Sequence, residues 1–85
     1  MKKILIIEDN KEIGIQIKRF LLKNQYEVDV ATSYFDALNK IDIKYDVCLL
    51  DINLPDRDGH HLINELKNKD IRIIITTVKS DENFI

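Results

Sequence analysis

Glu8, Asp9 and Asp51 are the residues of this sequence whose types and positions could do chemistry together. Glu8-Asp9 closes the apolar run Ile4-Leu5-Ile6-Ile7, and Asp51 closes the run Val47-Cys48-Leu49-Leu50. Both runs have strand length, and an unbroken apolar run suits a strand buried on both faces of a parallel sheet. If the two strands are neighbours, three carboxylates meet in one crevice at their C-terminal ends, where open α/β sheets gather ligands. Carboxylates a few ångströms apart repel, and a divalent cation offsets that charge directly. The donors are all oxygens, with no His or Cys at metal-ligand spacing, which favours Mg2+ or Mn2+ over Zn2+. Mg2+ commonly joins one or two carboxylates to phosphate oxygens, so the cluster points to phosphoryl chemistry. A carboxylate beside such an ion can attack phosphorus and form an aspartyl phosphate. Thr77, at the end of a further apolar run, would place a hydroxyl within reach of a phosphoryl oxygen.

The elements that must hold these residues follow from hydropathy patterning. Lys3 to Ile7 reads as a buried strand, and Asn10 caps a helix from about Lys11 to Lys23 with an inward stripe of Ile13, Ile17, Phe20 and Leu21. Glu27 to Ala31 alternates valines with acids, as a half-exposed edge strand does. Ser33 and Asp36 stand at capping-box spacing before a second helix, whose apolar side is Phe35, Leu38 and Ile41. The strand ending at Asp51 follows, then turn signals at Pro55 and Asp58-Gly59, and a third helix to about Asn68 that buries Leu62, Ile63 and Leu66. Ile71 to Ile75 is a fourth strand, strongly β-branched, and Ser80-Asp81-Glu82 has the pattern of a helix start. Alternating strands and helices imply a parallel sheet with right-handed crossovers and helices on both faces. The half-exposed second strand predicts the order 2-1-3-4, which places the acids at the switch point between strands 1 and 3.

Composition bounds the remaining classes. The chain has 85 residues, 45% hydrophobic and 33% charged, as expected for one small globular domain. A formal net charge of −2 with scattered Lys and Arg offers no nucleic-acid face. No apolar run approaches the ~20 residues that span a membrane. The acids Glu8 and Asp9 interrupt the first run too early for a signal peptide, so the chain reads as cytoplasmic. Cys48, alone and inside an apolar run, reads as a small buried hydrophobe. His60 and His61 are adjacent, so on a helix they point about 100° apart and do not form a shared metal site.

The acid pair Glu8-Asp9, Asp51 ending the third strand, the run Asp51-Ile52-Asn53-Leu54-Pro55-Asp56-Arg57-Asp58-Gly59, and Thr77 ending the fourth strand together resemble the receiver domain of bacterial two-component response regulators. The local style resembles the subfamily whose receiver precedes a winged-helix DNA-binding domain. The resemblance covers the whole chain, 1–85, as one receiver domain. It implies a flavodoxin-like, doubly wound fold. It also implies that Asp51 accepts a phosphoryl group from a sensor histidine kinase. Asp9 and Asp51 would bind Mg2+ directly, Asn53 through its backbone carbonyl, and Glu8 largely through water. Thr77 would be the switch hydroxyl. Transcription control would run through a DNA-binding domain outside this chain.

That family continues through a fifth strand, which carries a Lys that pairs with the phosphoryl oxygens, and a fifth helix. The expectation is therefore an N-terminal fragment of a receiver, or a naturally truncated one, without the fifth strand and fifth helix. Val78 stands where the family usually has a smaller residue. Two other functions share the acid pattern. A haloacid-dehalogenase-type phosphatase also uses a strand-end Asp and Mg2+, but its second Asp two residues later is Asn53 here. A pseudo-receiver used only for protein contacts is the other. The fourth strand, apolar on both faces and interrupted only by Arg72, would lie at an open sheet edge, and self-association through it, with two-fold symmetry, is expected.

Overall fold

The most apolar segment, Lys3–Ile7, forms strand β1, and Ile4 through Ile7 are all buried. A strand with both faces covered needs a neighbour on each side, and β1 has them. It pairs in parallel with β2 (Glu27–Ala31), from Lys3 opposite Glu27 to Ile7 opposite Ala31. On its other side it pairs with β3 (Val47–Asp51), from Ile4 opposite Val47 to Ile7 opposite Leu50. Strand β4 (Arg72–Thr76) extends the sheet beyond β3, ending with Asp51 opposite Thr76. The order is therefore β2-β1-β3-β4, all parallel, as the sequence predicts. This computed structural model describes residues 2–51, 54, 56 and 59–76.

Helices α1 (Lys11–Lys23), α2 (Tyr34–Lys40) and α3 (His60–Asn68) connect the strands. Side chains alternate across the sheet, and the two faces build two cores. Leu5, Ile7, Cys48 and Leu50 pack with Ala37 and Ile41 from the α2 segment and Leu62 and Leu66 from α3. Ile4, Ile6 and Val28 pack on the opposite face against Ile17 and Leu21 of α1. Gly14 lets α1 lie close to β2, because a Cβ there would stand 3.3 Å from the Val30 side chain. Together these features make the flavodoxin-like, doubly wound architecture.

Local signals act as expected. The Asn10 side chain accepts from the Glu12 and Ile13 amides and caps α1. Ser33 and Asp36 close a capping box: the Ser33 hydroxyl accepts from the Asp36 amide, and the Asp36 carboxylate from the Thr32 amide. Gln25 and Asp70, just past α1 and α3, adopt positive φ values of 70° and 60° and turn the chain into the next strand.

The aromatic residues depart from expectation. Phe20 is 65% exposed and Phe35 56%, so neither belongs to the core. The inner face of α1 centres on Gly14, Ile17 and Leu21, and Phe20 lies roughly 100° round the helix from Leu21. Likewise α2 turns Tyr34 and Ala37 inward, which rotates Phe35 outward. Tyr45, which carries no distinguishable signal in the sequence, is fully buried and its hydroxyl donates to the Asp29 carboxylate at 2.7 Å. Burial, then that neighbouring carboxylate, pushes the Tyr45 phenol above the usual tyrosine range. Cys48 is buried as expected, and burial pushes its thiol up to about 12. Strand β4 begins at Arg72, one residue later than the apolar run suggests, and Ile71 instead enters the core. The expected helix start at Ser80 lies outside the described residues.

Candidate metal centre

Glu8 continues the parallel ladder one residue past β1, its amide donating to the Ala31 carbonyl at 2.9 Å. Its backbone is thus fixed by the sheet while its side chain turns into the crevice above the strand ends. One Glu8 carboxylate oxygen accepts from the Asn10 amide at 3.2 Å. Asn10 in turn caps α1, so the turn joining β1 to α1 is held at both ends. Asp51 is the last residue of β3, aligned with Thr76 of β4. Glu8 and Asp51 are both only 4% exposed, and Asp9 is half-buried between them and solvent.

The strand ends bring the acids together as the sequence predicts. One carboxylate oxygen from each of Glu8, Asp9 and Asp51 lies within 4.8 Å of the others. The cost of this crowding is visible at Glu8. Burial is the largest influence on it, followed by the opposing Asn10 amide and then by hydrogen bonding and charge from Asp51 and a hydrogen bond from Asp9. Together they raise its carboxyl from 4.5 to about 7. Such a site holds a proton or a cation more readily than three bare charges. Its donors are oxygens only, and their spacing suits a hard divalent ion whose remaining ligands are water or phosphate oxygens. The residues present therefore fit Mg2+ or Mn2+.

Two of the expected site residues, Asn53 and Thr77, lie outside the described residues. Thr76, beside Thr77, turns its hydroxyl to the Leu50 carbonyl at 3.4 Å. Sequence reasoning gave no role to Asp56, whose carboxylate accepts from the Tyr34 amide at 2.8 Å and the Phe35 amide at 3.1 Å. No local pattern signals that contact, because the partners are 22 and 21 residues away. An open groove of about 630 Å3 lies away from the acids, at the other end of the strands, and is lined by Ile4, Leu21, Val47, Leu49 and Ile74 among others.

The family model for the response regulator receiver domain matches residues 4–85. The chain belongs to that family. Among curated relatives, this receiver domain is 42% identical over 85 residues to the transcriptional regulatory protein KdpE of Staphylococcus aureus. The match covers 98% of this chain and 37% of KdpE. It is 35% identical to the regulatory protein VanRB of Enterococcus faecalis, covering 98% of this chain and 39% of that one. The chain thus spans under two fifths of either regulator's length. Among solved structures, the response regulator TrrA of Thermotoga maritima in complex with Mg2+-BeF superposes with a TM-score of 0.81 at 31% identity, over 99% of this chain and 77% of that one. The family places the chain in two-component signalling, as a signalling domain.

Proposed function

We propose that this receiver accepts a phosphoryl group on Asp51 from a sensor histidine kinase, with Mg2+ at Glu8, Asp9 and Asp51. The observation that carries the proposal is the burial of Asp51 at a strand end within 4.8 Å of two further carboxylates. A buried strand-end carboxylate with no cation beside it would be disfavoured twice, by desolvation and by like charge. The likeness to TrrA, solved with Mg2+-BeF, supports the same ion here.

In this mechanism an Asp51 oxygen forms the new P–O bond as the donor's P–N bond breaks, and the imidazole leaves with a proton. The sheet fixes the Asp51 backbone through its pairing with Thr76, so the nucleophile needs little reorientation. By the receiver resemblance, Asp9 and Asp51 would hold the metal directly, Asn53 would add its backbone carbonyl, and Glu8 would act largely through water. The ion would supply positive charge against the negative charge that develops on the phosphoryl oxygens. Thr77 is the hydroxyl that follows the phosphoryl group. Its relative KdpE is named a transcriptional regulatory protein, which supports a role for this receiver in transcription control.

Incubation with a small acyl-phosphate donor tests the proposal. The chain should gain phosphate that is stable in acid and labile in base, and only when Mg2+ is present. Incorporation that is unaffected by a chelator, or that survives base, would contradict it.

A further inference from the structure

We infer that Asp56 is a positioning residue for the metal centre: it latches the loop that follows Asp51 onto the N-terminus of α2. The inference rests on the metal reading proposed for Glu8, Asp9 and Asp51.

The first turn of a helix presents amides without partners inside the helix. In α2 each one is accounted for. The Asp36 amide donates to the Ser33 hydroxyl at 3.1 Å, and the Ala37 amide to the Ser33 carbonyl at 3.0 Å. The local capping box therefore leaves the amides of Tyr34 and Phe35. Both donate to Asp56, one to each carboxylate oxygen, at 2.8 and 3.1 Å. A carboxylate held by two amides in this way is fixed in position and in rotation, and bonds to an ionised acceptor are the stronger kind. The positive end of the helix dipole adds to the attraction.

Asp56 lies on the segment between β3 and α3. That segment has anchors at intervals. Asp51 is fixed by β4, Leu54 packs on the core shared with α2 and α3, and the Gly59 carbonyl accepts from the Leu62 amide at 2.9 Å. Asp56 adds a polar anchor that ties the segment to the N-terminus of α2. In the sequence Asn53, whose carbonyl the receiver resemblance adds as a further ligand, lies between Asp51 and the anchored Leu54 and Asp56. Outer contacts of this kind decide how well ligands are aimed, and losing one typically costs about 10- to 100-fold in metal affinity.

Mn2+ titration of the whole chain, read by paramagnetic broadening of amide signals, tests the inference with three variants. Asp56→Ala should bind Mn2+ about tenfold or more weakly than the wild type. Asp56→Asn, which keeps one oxygen acceptor, should fall between the two and guards against a variant that does not fold. Ser33→Ala removes a cap from the same helix without touching the loop, and should lower stability while leaving Mn2+ binding unchanged. Wild-type affinity in Asp56→Ala would overturn the inference. Equal losses in Asp56→Ala and Asp56→Asn would assign the effect to the missing charge, and an equal loss in Ser33→Ala would assign it to loosening of α2; either also overturns it. If the wild type itself shows no Mn2+ response near Glu8, Asp9 and Asp51, the underlying metal reading fails, and the latch with it.

Discussion

Glu8 and Asp51 meet at the ends of the adjacent strands β1 and β3, with carboxylate oxygens within 4.8 Å of each other, although both are buried. Their contact requires a proton or a cation. Without metal, folded Glu8 keeps its proton up to about pH 7, whereas the unfolded chain releases it near 4.5. The folded state therefore binds more protons across that window, and metal-free stability falls as pH rises from about 4.5 through about 7. Metal must displace the same proton, so its affinity should rise with pH over the same interval. Urea unfolding in a chelator, and Mn2+ titration, at several pH values check both slopes. Glu8→Gln should flatten the first.

Asp51→Asn should expose a trade between function and stability. It removes one of the charges that disfavour ionised Glu8. In a chelator at neutral pH the variant should be more stable than the wild type, because the like-charge contact between two buried carboxylates is relieved. In excess Mg2+ the difference should shrink or reverse, because the wild type alone gains the full binding free energy. Urea midpoints with and without Mg2+ provide the comparison.

Tyr45→Phe should cost about 1 to 2 kcal/mol of stability by removing the 2.7 Å bond to Asp29 and leaving that carboxylate without its phenol partner. The ring remains to fill its site, so no large cavity opens. Tyr45 precedes the N-terminal end of β3, the end opposite Asp51, so Mn2+ binding should be unaffected. Chemical denaturation and the metal titration on one sample separate the two effects.

The far edge of the sheet makes a further prediction. Among the described residues β4 pairs only with β3, and Ile74 and Ile75 are 53% and 45% exposed on opposite faces. Ile74 also borders the open groove beside α1. An apolar strand edge of this kind is a template for pairing with another chain. The 85-residue chain should therefore run above monomer mass in light scattering at high micromolar concentration, and Ile74→Lys should shift it towards monomer. A monomer unchanged by the substitution would show that the edge is covered.

The sheet and the acids were legible in the sequence for one physical reason. Apolar runs such as Ile4–Ile7 and 47–50 are strands with both faces buried, and the charge that ends each run marks where the strand leaves the core. Alternation in β2 announced an edge, and that fixed the strand order. Phe20 and Phe35 were misjudged because hydrophobicity says how much a side chain gains from burial, whereas the helix rotation set by Gly14, Ile17 and Leu21, or by Tyr34 and Ala37, decides whether burial is available. Tyr45 and Asp56 were opaque for a related reason. Each finds a polar partner far away in sequence, Asp29 for one and the α2 amides for the other, and no local spacing encodes such a meeting.

Asp51 is where the central claim is tested most directly. The chain is treated with a small acyl-phosphate donor and Mg2+, the acyl phosphate is trapped by reduction, and the modified residue is located by peptide mass spectrometry. The label should fall on Asp51, should vanish in Asp51→Asn, and should drop sharply in Asp9→Ala. Label on a serine or threonine, or undiminished labelling of Asp51→Asn, would contradict the assignment of Asp51 as phosphoacceptor.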